Sequence, residues 1–191
     1  MKIGNVEIKG KAVLAPMAGV ADRAFRELCV DYGAAYVVSE MISSKGVSMG
    51  DRKSKNLAFI SEKERPAAIQ IFGSDPLIMA QSVEQVMQFN PEIIDINMGC
   101  PAPKVSGHGG GAALMKDVCL AGEIISAVKN AVSIPVTVKM RSGWDSDNLT
   151  AVALAKTAES CGAAAVTVHG RTRQQMYAPP VNLDIIKQVK E

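Results

Sequence analysis

A chain of 191 residues that is 48% hydrophobic, 21% charged and only 4% aromatic holds enough apolar material for one sizeable core, and its Val, Ile, Leu and Ala content excludes intrinsic disorder. The net charge of +2, from 21 Lys and Arg against 19 Asp and Glu, is too small to announce a nucleic-acid binder by itself. No apolar run approaches about 18 residues, and Met1 to Glu7 show no charged leader followed by an apolar core, so the expectation is a soluble protein, without membrane span or secretory signal, in the cytoplasm.

Short β-branched runs alternate with longer amphipathic stretches along the chain. Strands are predicted at about 12–16, 35–39, 67–72, 93–97, 135–140 and 164–169, with helices between them. The clearest helix carries Leu120, Ile124, Ile125 and Val128 at helical spacing, and Pro135 then opens the next strand. Another is predicted from Leu183 to Lys190. Strand and helix in regular alternation imply right-handed crossovers and a parallel sheet.

Parity within the strands says more than their existence. In Ala68-Ile69-Gln70-Ile71, Ile94-Asp95-Ile96-Asn97, Val136 to Arg141 and Val166-Thr167-Val168-His169, apolar residues alternate with polar ones, whereas parallel strands covered on both faces read as continuous apolar runs. One face meets helices and the other holds chemistry. Gln70, Asn97, Lys139 and His169 share the polar parity near the carboxyl ends of their strands, where a (β/α)8 barrel places its active site. An open doubly wound sheet would bind ligand only at its switch point, so four consecutive polar strand ends favour an α/β TIM barrel. About six of its eight strand-helix units precede Glu191. The chain is therefore expected to be an incomplete barrel, with strands one and six as edges that invite association.

Cys29, Cys100, Cys119 and Cys161 form no Cys-x-x-Cys pair, which argues against a zinc ribbon, a dithiol redox site or a disulfide framework. The first and the last two are placed in helices, where a lone cysteine is a small hydrophobe. Cys100 differs by its company: it follows a strand end, with Asn97 three residues earlier, Gly99 beside it and Pro101 after it. A thiol presented in a cleft serves as nucleophile or general acid. Lys139 is an ammonium placed inside a parallel sheet, which is costly unless an anion or a developing negative charge meets it. Neither Lys139 nor His169 has a partner at metal-ligand spacing, and no metal is predicted. The run Gly107-His108-Gly109-Gly110-Gly111-Ala112 has the spacing of a dinucleotide fingerprint, but Cys100 to Lys104 separate it from the strand, so it reads as a flexible loop over the site. Lys45, Arg52, Lys53 and Lys55, in a predicted loop from Ser43 to Ala58, share a rim with Lys104, Arg141, Arg171 and Arg173. A basic rim around a pocket suits a phosphate-bearing macromolecule.

The segments Ala15-Pro16-Met17-Ala18-Gly19-Val20 with Asp22 and Phe25-Arg26, Ser39-Glu40-Met41, Gln70-Ile71-Phe72-Gly73, Asp95 to Pro101, Val138 to Trp144 and His169 to Arg173 together resemble the tRNA-dihydrouridine synthases, in order and across nearly the whole chain. The resemblance implies an FMN-dependent (β/α)8 enzyme that reduces uridines of tRNA with NADPH. It also implies that residues 1–191 are an incomplete FMN-binding catalytic domain from which the family's helical tRNA-binding domain is absent. By matching motif, Pro16, Met17 and Ala18 would touch the flavin ring, Gln70 its polar edge and Lys139 its N1/C2 carbonyl region, where a cation stabilises the anionic reduced form. Asn97 and His169 would lie by flavin and uracil, and Arg141 and Arg171 on the substrate side. Cys100 would be the general acid, protonating uracil C5 as hydride reaches C6. The target uridine would have to leave its stack to enter such a pocket. Two alternatives remain open: an FMN barrel oxidoreductase of a small free pyrimidine, and a fragment that binds flavin or RNA without catalysis.

Overall fold

The computed structural model describes residues 1–191. Its first element was not anticipated: β1 (Lys2–Ile3) and β2 (Val6–Glu7) pair as an antiparallel hairpin around Gly4-Asn5, with Gly4 at φ +56°. A two-residue hairpin turn of this kind needs positive φ, which glycine supplies without steric cost. The hairpin brings Ile3, and Ile8 just after it, against Tyr36, Val38, Ala68 and Ile93 in a small apolar cluster.

The main sheet is parallel throughout. Leu14 bridges to Val37; β3 (Val37–Val38) and β4 (Ile42–Ser43), two pieces of one strand path, both pair with β5 (Ala67–Phe72). Next come β6 (Ile93–Met98), β7 (Val136–Arg141) and β8 (Ala165–His169), in the order β3–β5–β6–β7–β8. The last four strands fall within a residue of their predicted limits. The first two are shorter than expected: 12–16 contracts to the bridge at Leu14, and 35–39 to β3. Pro16 offers no N–H to extend the first ladder.

Eight helices separate or follow these strands: α1 (Arg23–Asp31), α2 (Ser44–Ser48), α3 (Arg52–Leu57), α4 (Pro76–Val86), α5 (Pro103–Ser106), α6 (Val118–Ala131), α7 (Ala151–Ser160) and α8 (Leu183–Lys190). Six start at a side-chain cap, where Asp22, Ser43, Asp51, Asp75, Asp117 or Asn182 accepts the backbone N–H three residues on. Two of these caps correct the sequence reading. Ser43 and Asp51 fold the charged stretch 43–58, expected to be a loop, into α2 and α3. Cys161 also lies just past α7 rather than inside a helix.

The outer face of the sheet supplies Ile69, Ile71, Ile94, Ile96, Val136 and Val138 to a core of 28 buried residues, completed by helices such as α6, whose Ile124, Ile125 and Val128 have no exposed surface. Each such side chain stabilises the fold by about 1.5–3 kcal/mol. The sheet curls, so that Leu14 at one border and Ala165 and Thr167 at the other line one interior space with Tyr36, Asp95 and Thr137. No helix is long and apolar enough to cross a membrane.

One ion pair is buried away from the cleft. Arg26 (2% exposed) on α1 donates through Nε to Glu64 (1% exposed), through Nη1 to the Ala21 carbonyl (2.9 Å) and through Nη2 to the Phe59 carbonyl (3.0 Å). The other Glu64 oxygen accepts the Ser61 N–H at 2.9 Å. Every heteroatom of the pair is thus hydrogen-bonded, as a buried charge requires.

Candidate active site

A cleft of about 620 Å³ opens at the carboxyl ends of the strands. Pro16, Met17 and Ala18 line it beyond the Leu14 bridge, Gln70 comes from β5, and Asn97 and Cys100 come from β6 and the turn after it. Lys139 and Arg141 come from β7 and His169 from β8. The structure therefore brings every sequence-predicted site residue to this cleft except Arg171, which stands behind His169 with Nη1 3.2 Å from its Nε2. Register explains the convergence: Gln70 pairs with Asp95, Asn97 with Lys139 and Arg141 with His169. Residues side by side in a parallel ladder point to the same face.

Beneath the cleft lies a hydrogen-bonded row that the sequence reading did not foresee. Thr137 Oγ1 donates to Asp95 Oδ1 (2.5 Å) and Gln70 Nε2 to Asp95 Oδ2 (2.6 Å). Asn97 Nδ2 donates to Gln70 Oε1 (2.8 Å), and Asn97 Oδ1 accepts the N–H groups of Gly99 (3.2 Å) and Cys100 (2.9 Å). On the other side of the thiol, the Cys100 carbonyl accepts from Ala112 N–H at 3.0 Å. The glycine-rich loop fits so closely here that a Cβ at Gly111 would stand 2.8 Å from the Cys100 oxygen. The run 107–112, expected as a flexible loop over the site, thus packs behind the Cys100 turn instead: Gly110, Gly111 and Ala112 are buried, Gly111 opens a short 3₁₀ helix, and none of the six lines the cleft.

Burial dominates the electrostatics. It pushes the Asp95 carboxyl up to about 6, against the pull of the Thr137 and Gln70 hydrogen bonds and the Lys139 charge. It lowers Lys139, partly opposed by Asp95, and the Lys139 ammonium makes no hydrogen bond within the protein. An ammonium in this position is ready for an acceptor that enters the cleft. His169 is pushed down to about 4 by burial, then by Arg141, Lys139 and Arg171, so it is neutral near pH 7. Because arginine only donates, His169 Nε2 accepts from Arg171 and the ring proton resides on Nδ1.

These two shifts act oppositely on stability. Asp95 binds its proton more tightly when folded, so its contribution falls as pH rises from 3.8 to about 6. His169 binds its proton less tightly when folded, so its contribution rises with pH from about 4 to 6.5. Across that window, wild type should lose about 3 kcal/mol relative to Asp95→Asn and gain stability relative to His169→Asn. Urea melts of the three proteins at each pH check this; parallel pH profiles would refute both assignments.

The basic rim needs one correction. Lys45, Arg52, Lys53, Lys55 and Lys104 are exposed, but Arg141 is 3% exposed and spends its donors on the carbonyls of Gly99 (2.9 Å), Thr172 (3.0 Å) and Met176 (2.8 Å). It is a strut between loops as well as a cleft residue, because a β7 guanidinium at this parity meets carbonyls before it meets water. Arg171 Nε likewise donates to the Ala178 carbonyl (3.0 Å), and Arg173 lies 4.7 Å above the Trp144 ring, as does Lys116. Glu40, which the sequence reading placed in a matching segment without a role, accepts the Gly19 N–H next to Pro16 to Ala18. Asp95 could have been found, since it shares the parity of Asn97; the Glu40 contact leaves no sequence signal.

Residues 13–191 match the family model described as dihydrouridine synthase. The whole chain is 47% identical to tRNA-dihydrouridine synthase B of Vibrio parahaemolyticus, 43% identical to that of Pseudomonas aeruginosa and 45% identical to a probable tRNA-dihydrouridine synthase of Rickettsia conorii, spanning 59%, 58% and 58% of those proteins. The chain thus covers under two thirds of the length of these curated relatives. Among solved structures it shares its fold with 2,3-dimethylmalate lyase, at a TM-score of 0.52 and 16% identity over 94% of this chain and 62% of that one. With the match running from Val13 to Glu191 through every strand that lines the cleft, the chain belongs to the dihydrouridine synthase family.

Proposed function

We propose that this chain is the catalytic part of an enzyme that reduces the C5=C6 bond of uridine in tRNA, with FMN as cofactor and NADPH as reductant, in the cytoplasm. In this reading the curled sheet is the first six strand-helix units of a (β/α)8 barrel. The observation that carries it is the cleft's composition: a half-buried Lys139 ammonium with no hydrogen bond within the protein, an apolar wall of Pro16, Met17 and Ala18, and the Cys100 thiol, all lining one space. That set fits a flavin ring, which has an apolar face and a carbonyl edge that gains negative charge on reduction.

When bound, the flavin supplies hydride for uracil C6. The protein's own residues do the rest. Pro16, Met17 and Ala18 pack against the ring, Gln70 offers its second amide proton to the polar edge, and Lys139 holds the developing charge. Cys100 gives its thiol proton to uracil C5, from a turn held by Asn97 on one side and Ala112 on the other. His169, neutral, borders flavin and base. Asn97, Arg141 and Arg171 frame the substrate side, and the exposed Lys45, Arg52, Lys53, Lys55 and Lys104 meet RNA phosphates.

The test uses the protein at its full natural length. It should purify with flavin absorbance and, given NADPH, form dihydrouridine in unmodified tRNA but not in free uridine. Reduction of a free pyrimidine with tRNA left untouched would instead favour the small-pyrimidine reading. A narrower expectation concerns Lys139→Met. Loss of the cation should weaken FMN binding and lower the flavin reduction potential by about 30 mV or more, equivalent to roughly 1.4 kcal/mol for two electrons. An unchanged potential in a dye-equilibration titration would remove Lys139 from this role.

A further inference from the structure

The row under the cleft has a direction, and its chemistry makes each member determine the next. An ionised Asp95 can only accept, so both neighbours must present hydrogens to it: Thr137 its hydroxyl and Gln70 its amide nitrogen. With its nitrogen committed, Gln70 turns its oxygen to Asn97, which must answer with its own nitrogen. That leaves Asn97 Oδ1 facing the Gly99 and Cys100 N–H groups, the one orientation in which those two donors meet an acceptor. If the row reversed, Asn97 would present N–H to N–H and the turn would lose its anchor. Asp95 is 5% exposed, and Gln70 and Asn97 are also buried, so water cannot readily replace a lost partner.

We propose that Asp95 is a positioning residue, whose carboxylate sets the direction of the Gln70–Asn97 amide row and thereby holds the Cys100 turn in place. Asp95 lines neither the cleft nor the thiol; it reaches the Cys100 turn through two amides, and its charge separately favours the protonated form of Lys139. Its consequence for turnover rests on the uridine-reduction reading above.

The row allows an exchange of roles between its two ends. Asp95→Asn introduces a donor where only an acceptor stood, so either direction becomes possible. Adding Asn97→Asp makes position 97 acceptor-only, and the row is again determined: the amide introduced at position 95 donates to Gln70, Gln70 donates to the carboxylate introduced at position 97, and that carboxylate still accepts from Gly99 and Cys100. A merely structural role for Asp95 offers no reason for a second substitution in the same row to help.

The experiment measures amide hydrogen exchange at Gly99 and Cys100 in the full-length, flavin-loaded protein, alongside tRNA reduction. Asp95→Asn should lower protection of the Cys100 amide about tenfold, the loss of roughly one hydrogen bond, and lower kcat by a similar factor with little change in KM for tRNA. The double variant should regain protection to within about threefold of wild type. Wild-type protection in Asp95→Asn, or no recovery in the double variant, overturns the proposal. If Asp95→Asn does not fold, the double variant decides alone: protected amides support the row, freely exchanging ones refute it. Recovery of protection in a protein that never reduces tRNA would uphold the positioning role and discard the functional reading instead.

Discussion

Replacing Cys100 by Ala in the full-length protein is expected to leave flavin bound and reducible by NADPH while slowing uridine reduction about 10²-fold or more, the scale of a lost general acid. The structure makes this a clean substitution. The Cys100 backbone is held on both sides, its N–H by Asn97 and its carbonyl by Ala112, and neither contact involves the sulfur. The thiol is half-buried in the cleft wall, so its removal takes away the sulfur and no core contact of consequence. Single-turnover mixing of the reduced enzyme with tRNA separates the steps: the NADPH half-reaction should keep its rate and the tRNA half-reaction should fall. Wild-type oxidation of the reduced flavin by tRNA would remove Cys100 from the chemistry.

Arg26→Ala, outside the cleft, should destabilise the fold by about 3–5 kcal/mol, because it strands the Glu64 charge at 1% exposure. It also frees the Ala21 and Phe59 carbonyls from their donors. The pair-specific check is Arg26→Met with Glu64→Leu: removing both charges should recover much of the loss, since a buried pair can be replaced by packed apolar groups at little net cost. Equilibrium urea unfolding measures all three. An Arg26→Ala protein within about 1 kcal/mol of wild type would mean the pair is more hydrated than its burial indicates.

Arg26 also shows where sequence reading stops. Strand positions, the helix carrying Ile124, Ile125 and Val128, and the polar face with Gln70, Asn97, Lys139 and His169 were legible because each follows a local period. The partnership of Arg26 with Glu64 was not, since it joins residues 38 apart with no periodic relation. The same holds for Glu40 and Gly19. The hairpin at residues 2–7 was missed for another reason: its strands are two residues each, too short for alternation to register, and only the Gly4-Asn5 turn marked it. Arg141 was expected on the basic rim of the pocket, on the substrate side. Its place on β7, one layer above Lys139, instead puts the guanidinium among three loop carbonyls.

That strut has a mechanical side. One guanidinium grips Gly99, immediately before the cysteine, and also Thr172 and Met176, which bracket the approach to Tyr177. Tyr177 itself is 72% exposed, with the Arg141 guanidinium 5.8 Å from its ring centre. The turn after β6 and the loop after β8 are therefore tied through a single side chain, at its three carbonyl contacts. Removing that one guanidinium would leave both loops without their shared donor, one of them a peptide away from Cys100.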